Sequence, residues 1–90
     1  MPEEMLKFRN ALEVRGVEWI NNSNNFDRSF PFLDMIVYAT VFRFNDSLWT
    51  VKSGFGTFGG DRGLLELRVD DGELVGSLTA QDVLRMMDDV

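Results

Sequence analysis

The chain has 90 residues, 44% apolar and 27% charged, which predicts one ordinary globular domain. It has no cysteine and no histidine. That excludes disulfides, thiolate nucleophiles and cysteine metal sites, and removes the commonest general base and metal ligand together. Net charge is −6 and uneven: residues 1–60 hold seven acids and six bases, residues 61–90 eight acids and three bases.

An acidic chain does not hold nucleic acid by non-specific attraction, because phosphate binding needs clustered Lys and Arg. The charge suits a basic partner, or simple solubility. All eleven aromatics precede residue 60, so an aromatic-rich front is followed by an acidic, aliphatic back. The N-terminus lacks a basic stretch followed by an apolar run, and no apolar run approaches the ~20 residues that span a bilayer. The expectation is a cytoplasmic protein with no membrane partner.

Pro2, then Glu3 and Glu4, open a helix predicted over residues 2–15. Met5, Phe8, Ala11 and Leu12 make its apolar face, Glu3 and Lys7 an i,i+4 pair, and Arg15-Gly16 its end. Val17 to Ile20 reads as a short strand with Val17 and Trp19 inward. Residues 21–29, polar and turn-forming, read as a loop closed by Phe30, Pro31 and Phe32. Residues 35–44 read as a central strand covered on both faces. Helices would cover one face. A second copy, as a homodimer, or the domain's own loops would cover the other.

Residues 40–60 are the organising stretch. With Asp46-Ser47 as a two-residue turn, Phe44 faces Trp49 and Phe42 faces Val51. Phe42, Phe44, Trp49 and Val51 then share one face, with Val41, Arg43, Thr50 and Lys52 on the other. Residues 64–69 predict a strand with Leu65, Leu67 and Val69 on one face. Asp71-Gly72 predicts a hairpin turn placing Leu74 opposite Val69. Thr79 as N-cap, Asp82 at N3 and a Leu78–Val83 staple open a closing helix whose buried stripe is Val83, Leu84, Met87 and Val90. Asp88 and Asp89 oppose the dipole, so its last turn should fray. The predicted fold class is α+β. An N-terminal helix, about five mostly antiparallel strands in one sheet and a C-terminal helix are expected, with both helices on one sheet face.

Two stretches offer chemistry. Gly54, Phe55, Gly56, Thr57, Phe58 and Gly59 match G-x-G-x-x-G, but a strand rather than a helix follows, so the dinucleotide context is missing. The same stretch, with Lys52 and Ser53, resembles the RNP1 pattern of RNA-binding sheets until Gly59-Gly60 interrupts it. The structural alternative is that the glycines supply positive φ at a bulge or wide turn. The acids Asp61, Glu66, Asp70, Asp71 and Glu73 are candidates for contacting a basic protein. They match no calcium loop, and the turn explains Asp70 and Asp71. Neither a catalytic nor a metal-ligating set emerges, and no cofactor is expected.

RGVEW, LWTV, GFGTFGG, GLLEL and VGSLTAQDV, in that order, resemble a group of small acidic proteins from prophages, plasmids and mobile elements of Gram-positive bacteria. The similarity runs from about Arg15 to Val83. The resemblance implies an accessory role, as an inhibitor or adaptor of a host protein, without assigning an activity. The functional expectation is a non-enzymatic interaction module that meets a basic partner through its acidic final third. The alternative is a small-ligand or nucleotide-binding domain using residues 54–60.

Overall fold

The computed structural model describes residues 1–25 and 36–90. The chain runs α1 (Glu3–Val14), β1 (Ile20–Asn21), β2 (Asn24–Asn25), β3 (Ile36–Phe44), β4 (Ser47–Gly54), a 3-10 turn (Gly60–Arg62), β5 (Leu65–Val69), β6 (Val75–Leu78) and α2 (Ala80–Asp88). One antiparallel sheet has the order β1-β3-β4-β5-β6, and β2 also pairs with β3. This is the predicted α+β architecture. Phe30, Pro31, Phe32 and Met35 lie outside the described residues.

Both helices bury onto the same sheet face. Met5, Phe8 and Leu12 of α1 and Ala80, Val83 and Met87 of α2 form one core with Phe42, Trp49, Val51, Leu65 and Leu67. Phe42 stacks on Trp49 at 5.9 Å, and Phe44 meets the same indole edge-on. Such aromatic pairs add about 1 kcal/mol each beyond area burial. No helix among the described residues is long and apolar enough to cross a membrane.

The β3–β4 hairpin corrects the predicted register. Asn45 and Asp46, at φ 51° and 64°, form the two-residue turn, so Phe44 pairs with Ser47 and Phe42 with Trp49. Such a turn needs positive φ at both central residues, which Asn and Asp tolerate better than Ser. The register is off by two, and a two-residue shift leaves every side chain on its predicted face. Phe42, Trp49 and Val51 are buried accordingly.

Three further expectations change. Residues 21–25, read as loop, belong to an edge strand. Ile20 pairs with Val41 and Asn24 with Val37 in one continuous register, bridged where Asn22 N–H donates to the Ala39 carbonyl (3.0 Å). Val17 and Trp19 are half-buried against the core as predicted, but the ladder starts only at Ile20. The β5–β6 turn is not Asp71-Gly72. Asp70 takes the left-handed conformation (φ 52°), residues 70–74 make the connection, and Leu67 rather than Val69 finds its partner, Val75. The physical reason is that Asp70 and Leu48 exchange two hydrogen bonds, pulling the chain out of line.

The helix ends follow their sequence signals. Val17 N–H donates to the Leu12 carbonyl and Gly16 N–H to that of Glu13, closing α1 in a Schellman motif with Gly16 at φ 71°. Thr79 and Asp82 form the capping box of α2. A Glu4 carboxylate oxygen accepts from Ala80 N–H (2.9 Å), so α1 helps cap α2. At the other end Arg15 grips Asp88 through two bonds (2.7 and 3.2 Å), which opposes the predicted fraying. Val90 is exposed, and the buried stripe ends at Met87.

Arg9 is the feature that the helical pattern concealed. It completes the spacing Met5, Phe8, Arg9, Leu12 and is buried. Its Nε donates to Thr40 Oγ1 (2.7 Å), and its Nη2 to the Ala39 carbonyl (3.0 Å) and Asn21 Oδ1 (3.1 Å). The guanidinium also lies 4.7 Å from the Trp19 ring centroid. Arg9→Met should lower stability by about 2–3 kcal/mol, because the buried acceptors on β3, Thr40 Oγ1 and the Ala39 carbonyl, lose their donor. Arg9→Lys should recover only part of it, since an ammonium does not reproduce the fork. A urea midpoint unchanged in Arg9→Met would refute this role.

Acid should unfold the domain through its caps. Glu4 is held below its ordinary 4.5 by the Ala80 N–H, Asp82 below 3.8 by the Thr79 N–H, and Asp88 below 3.8 by Arg15. Each pKa is depressed in the folded state, so the stabilisation is present above the ordinary values and lost as pH falls through the folded ones. The melting temperature should be level from pH 7 to about 5 and fall steeply below about 4. Glu4→Gln should flatten part of that fall, and an identical profile would remove Glu4 from the account.

Candidate functional site

The five predicted partner-binding acids do not share one surface. Asp61 lies in the 3-10 turn before β5, while Asp70, Asp71 and Glu73 follow β5. Five strand residues separate the two groups, about 13–16 Å at strand rise. Glu66 is buried, and its Oε2 accepts from Phe58 N–H (2.8 Å), so it braces the glycine-rich loop. Asp70 is exposed, yet its Oδ1 accepts from Leu48 N–H (2.8 Å). That bond, with the Ser47 side chain and the charge of Arg43, holds its pKa below the ordinary 3.8.

What the fold does assemble is an acidic end. The register sets Leu48 beside Asp70, so the β3–β4 turn with Asp46 adjoins the β5–β6 connection with Asp70, Asp71 and Glu73. All four acids are exposed, as are Leu48, Leu74 and Val75, while Arg68 lies at the same end with its Nε donating to the Gly72 carbonyl (3.1 Å), and Leu74 shares a hollow with Lys52 and Arg68.

The glycine-rich loop, Gly54 with Phe55, Gly56, Thr57, Phe58 and Gly59, sits at the opposite end of the sheet. The amides of Phe55, Thr57, Phe58 and the following Gly60 are turned onto the protein. Phe55 N–H donates to the Ile36 carbonyl, Thr57 N–H to that of Gly54, Gly60 N–H to that of Thr57, and Phe58 N–H to Glu66. A phosphate cradle uses such amides for its ligand. The segment that follows is three residues of 3-10 turn before a strand, not a helix. The glycines instead permit positive φ at Gly54, Gly56 and Gly59 and close backbone passage at Gly60, packed on the Gly54 carbonyl. Phe55 (49%) and Phe58 (61%) are exposed rather than folded into the core. Phe58 rests over Gly76, where a side chain would collide with it.

The sequence reading missed a groove between the end of α1 and β1. The Schellman turn reverses the chain at Gly16, and residues 17–19 then run back beneath the helix end. Glu13, Gly16, Val17, Glu18 and Trp19 line a hollow of about 430 Å³. Trp19 Nε1–H donates to Glu13 Oε1 (3.0 Å), which fixes the indole. The hollow continues into an apolar groove of about 690 Å³ shared with Ile20, Val41 and Leu48. The i,i+6 separation of Glu13 and Trp19 across a glycine helix end was the available signal.

Among the described residues no group of three or more acidic side chains is placed to hold a metal ion. Comparison with protein-family models, curated proteins and solved structures gives no match.

The glycine loop makes a graded prediction. Gly60→Ala drives a methyl into the Gly54 carbonyl and Thr57 Oγ1, and should cost about 2–3 kcal/mol. Gly56→Ala meets no atom within 4 Å, and should cost only the left-handed penalty of about 1–2 kcal/mol. Urea titration of the two variants checks the order. A larger loss at Gly56 than at Gly60 would contradict the packing described.

Proposed function

We propose that this chain is a non-enzymatic protein-interaction module that meets a basic partner through the acidic end of its sheet. The observation that carries the reading is that Asp46, Asp70, Asp71 and Glu73 are exposed at the sheet end where Leu48, Leu74 and Val75 are exposed too. Exposed aliphatic side chains beside four acids, which outnumber the neighbouring Arg43 and Arg68, suit a protein surface of the opposite sign, since burial supplies affinity and the charges supply steering. The absence of His and Cys from the sequence favours a binding role over catalysis. The resemblance to accessory proteins of mobile elements favours an inhibitor or adaptor of a host protein. The nucleotide-binding alternative gains little from a loop in which the amides of Phe55, Thr57 and Phe58 are engaged internally.

Asp71→Lys with Glu73→Lys should leave the melting temperature unchanged, because neither side chain holds a described contact. Affinity capture from host-type lysate should then lose a basic protein that the wild type retains at about 0.05 M salt and releases at about 0.5 M. Asp61→Lys, at the other end of the sheet, should leave capture intact. Equal capture by the wild type and the Asp71/Glu73 variant, or loss in the Asp61 variant alone, would remove the acidic end as the docking surface.

A further inference from the structure

We infer that the groove between the end of α1 and β1 is the specificity pocket of this module and takes one arginine or lysine side chain of the partner, followed by an apolar residue. The inference rests on the reading of a basic partner, and it assigns that partner a second, more selective contact.

Three features of the groove point to this occupant. First, the inner hollow is lined by two carboxylates, Glu13 and Glu18, and by no base. It lies at the C-terminal end of α1, where the helix dipole is negative. An anionic segment or a nucleic-acid phosphate would meet repulsion from all three. Second, Trp19 forms one wall, and its indole is held by the bond to Glu13. The protein's own Arg9 already places a guanidinium 4.7 Å from the centre of that ring, so the ring accepts a cation in this setting. Arg9 does not line the hollow, so the groove meets a part of the indole that Arg9 leaves uncovered.

Third, the charged hollow opens into an apolar one. The two share Gly16, Val17, Glu18 and Trp19, and the outer part adds Ile20, Val41 and Leu48. Ile20 is 68% exposed and Leu48 40%, both large aliphatic surfaces facing solvent. An arginine or lysine stem lies along such a surface while its head reaches the carboxylates, and the next apolar residue covers Ile20 and Leu48. Arg43 lines only the outer part of the groove and is not among the residues of the inner hollow that holds both carboxylates. Leu48 is also the bridge to the acidic end, through its two hydrogen bonds with Asp70. One partner surface can therefore span both regions.

The test is a heteronuclear NMR titration of the whole chain with two acetylated, amidated tripeptides, Leu-Arg-Leu and Leu-Glu-Leu. The Arg peptide should move the Trp19 indole N–H and the amides of Gly16, Val17 and Val41, and the Glu peptide should not. Glu13→Gln with Glu18→Gln keeps an amide oxygen for the Trp19 bond but removes both charges. It should weaken the Arg peptide about tenfold with an unchanged melting temperature. Shifts confined to residues 70–73 would overturn the pocket and leave the acidic end as docking surface. Equal response to both peptides, or undiminished binding by the double variant, would also overturn the pocket. No shift at either place would count against both readings.

Discussion

The Arg9 guanidinium is the interaction on which the rest of the molecule depends. It enters the core from α1 and is satisfied by neutral oxygens on the central strand β3 and the edge strand β1. A buried charge without hydrogen bonds is expensive, so its acceptors must stay where they are. That requirement fixes how α1 lies across the sheet and where the edge strand enters the ladder. It also fixes Trp19, whose ring packs on the same guanidinium. Positioned in this way, Trp19 and the end of α1 leave the groove between them.

The sheet then divides the molecule into unlike halves. One face is sealed by α1 and α2, whose ends are tied together by the Glu4 carboxylate on Ala80 and by the Arg15–Asp88 pair. The Arg15–Asp88 pair is solvent-exposed and contributes little, so the apolar interface carries the packing. At one end of the sheet the glycine loop is knotted by its own amides and by buried Glu66. At the other end the β3–β4 turn and the β5–β6 connection carry acids and exposed aliphatics together. A surface of the second kind has the composition of a docking site, and a loop of the first kind has that of a structural closure.

Charge gives the same contrast at finer grain. The acidic final third is a property of the chain, and folding disperses it. Asp82 caps a helix, Asp88 pairs with Arg15, Glu66 is buried, and Asp61 lies at the other end of β5 from Asp70. Asp46, which lies outside that third, joins Asp70, Asp71 and Glu73 because two connections meet at one sheet end. Electrostatic recognition depends on where charges sit in space, so composition identified a tendency and topology chose its location.

The sequence by itself determined the local structure and the fold class. Periodic apolar residues marked both helices, the Thr79–Asp82 box and Gly16 placed their ends, and alternation in residues 41–51 chose the core face of the hairpin. These signals are local, and the final structure satisfies them within a few residues. Tertiary structure decided what depended on distant partners. The hairpin settled two residues from the predicted register because either alignment keeps the same face inward, and turn φ values selected between them. Residues 21–25 became an edge strand because β3 and Arg9 offered hydrogen bonds that a polar stretch lacks alone. The groove beside Trp19 exists only once α1, β1 and β3 are packed, for long-range contact brings its walls together and no short window of sequence contains them.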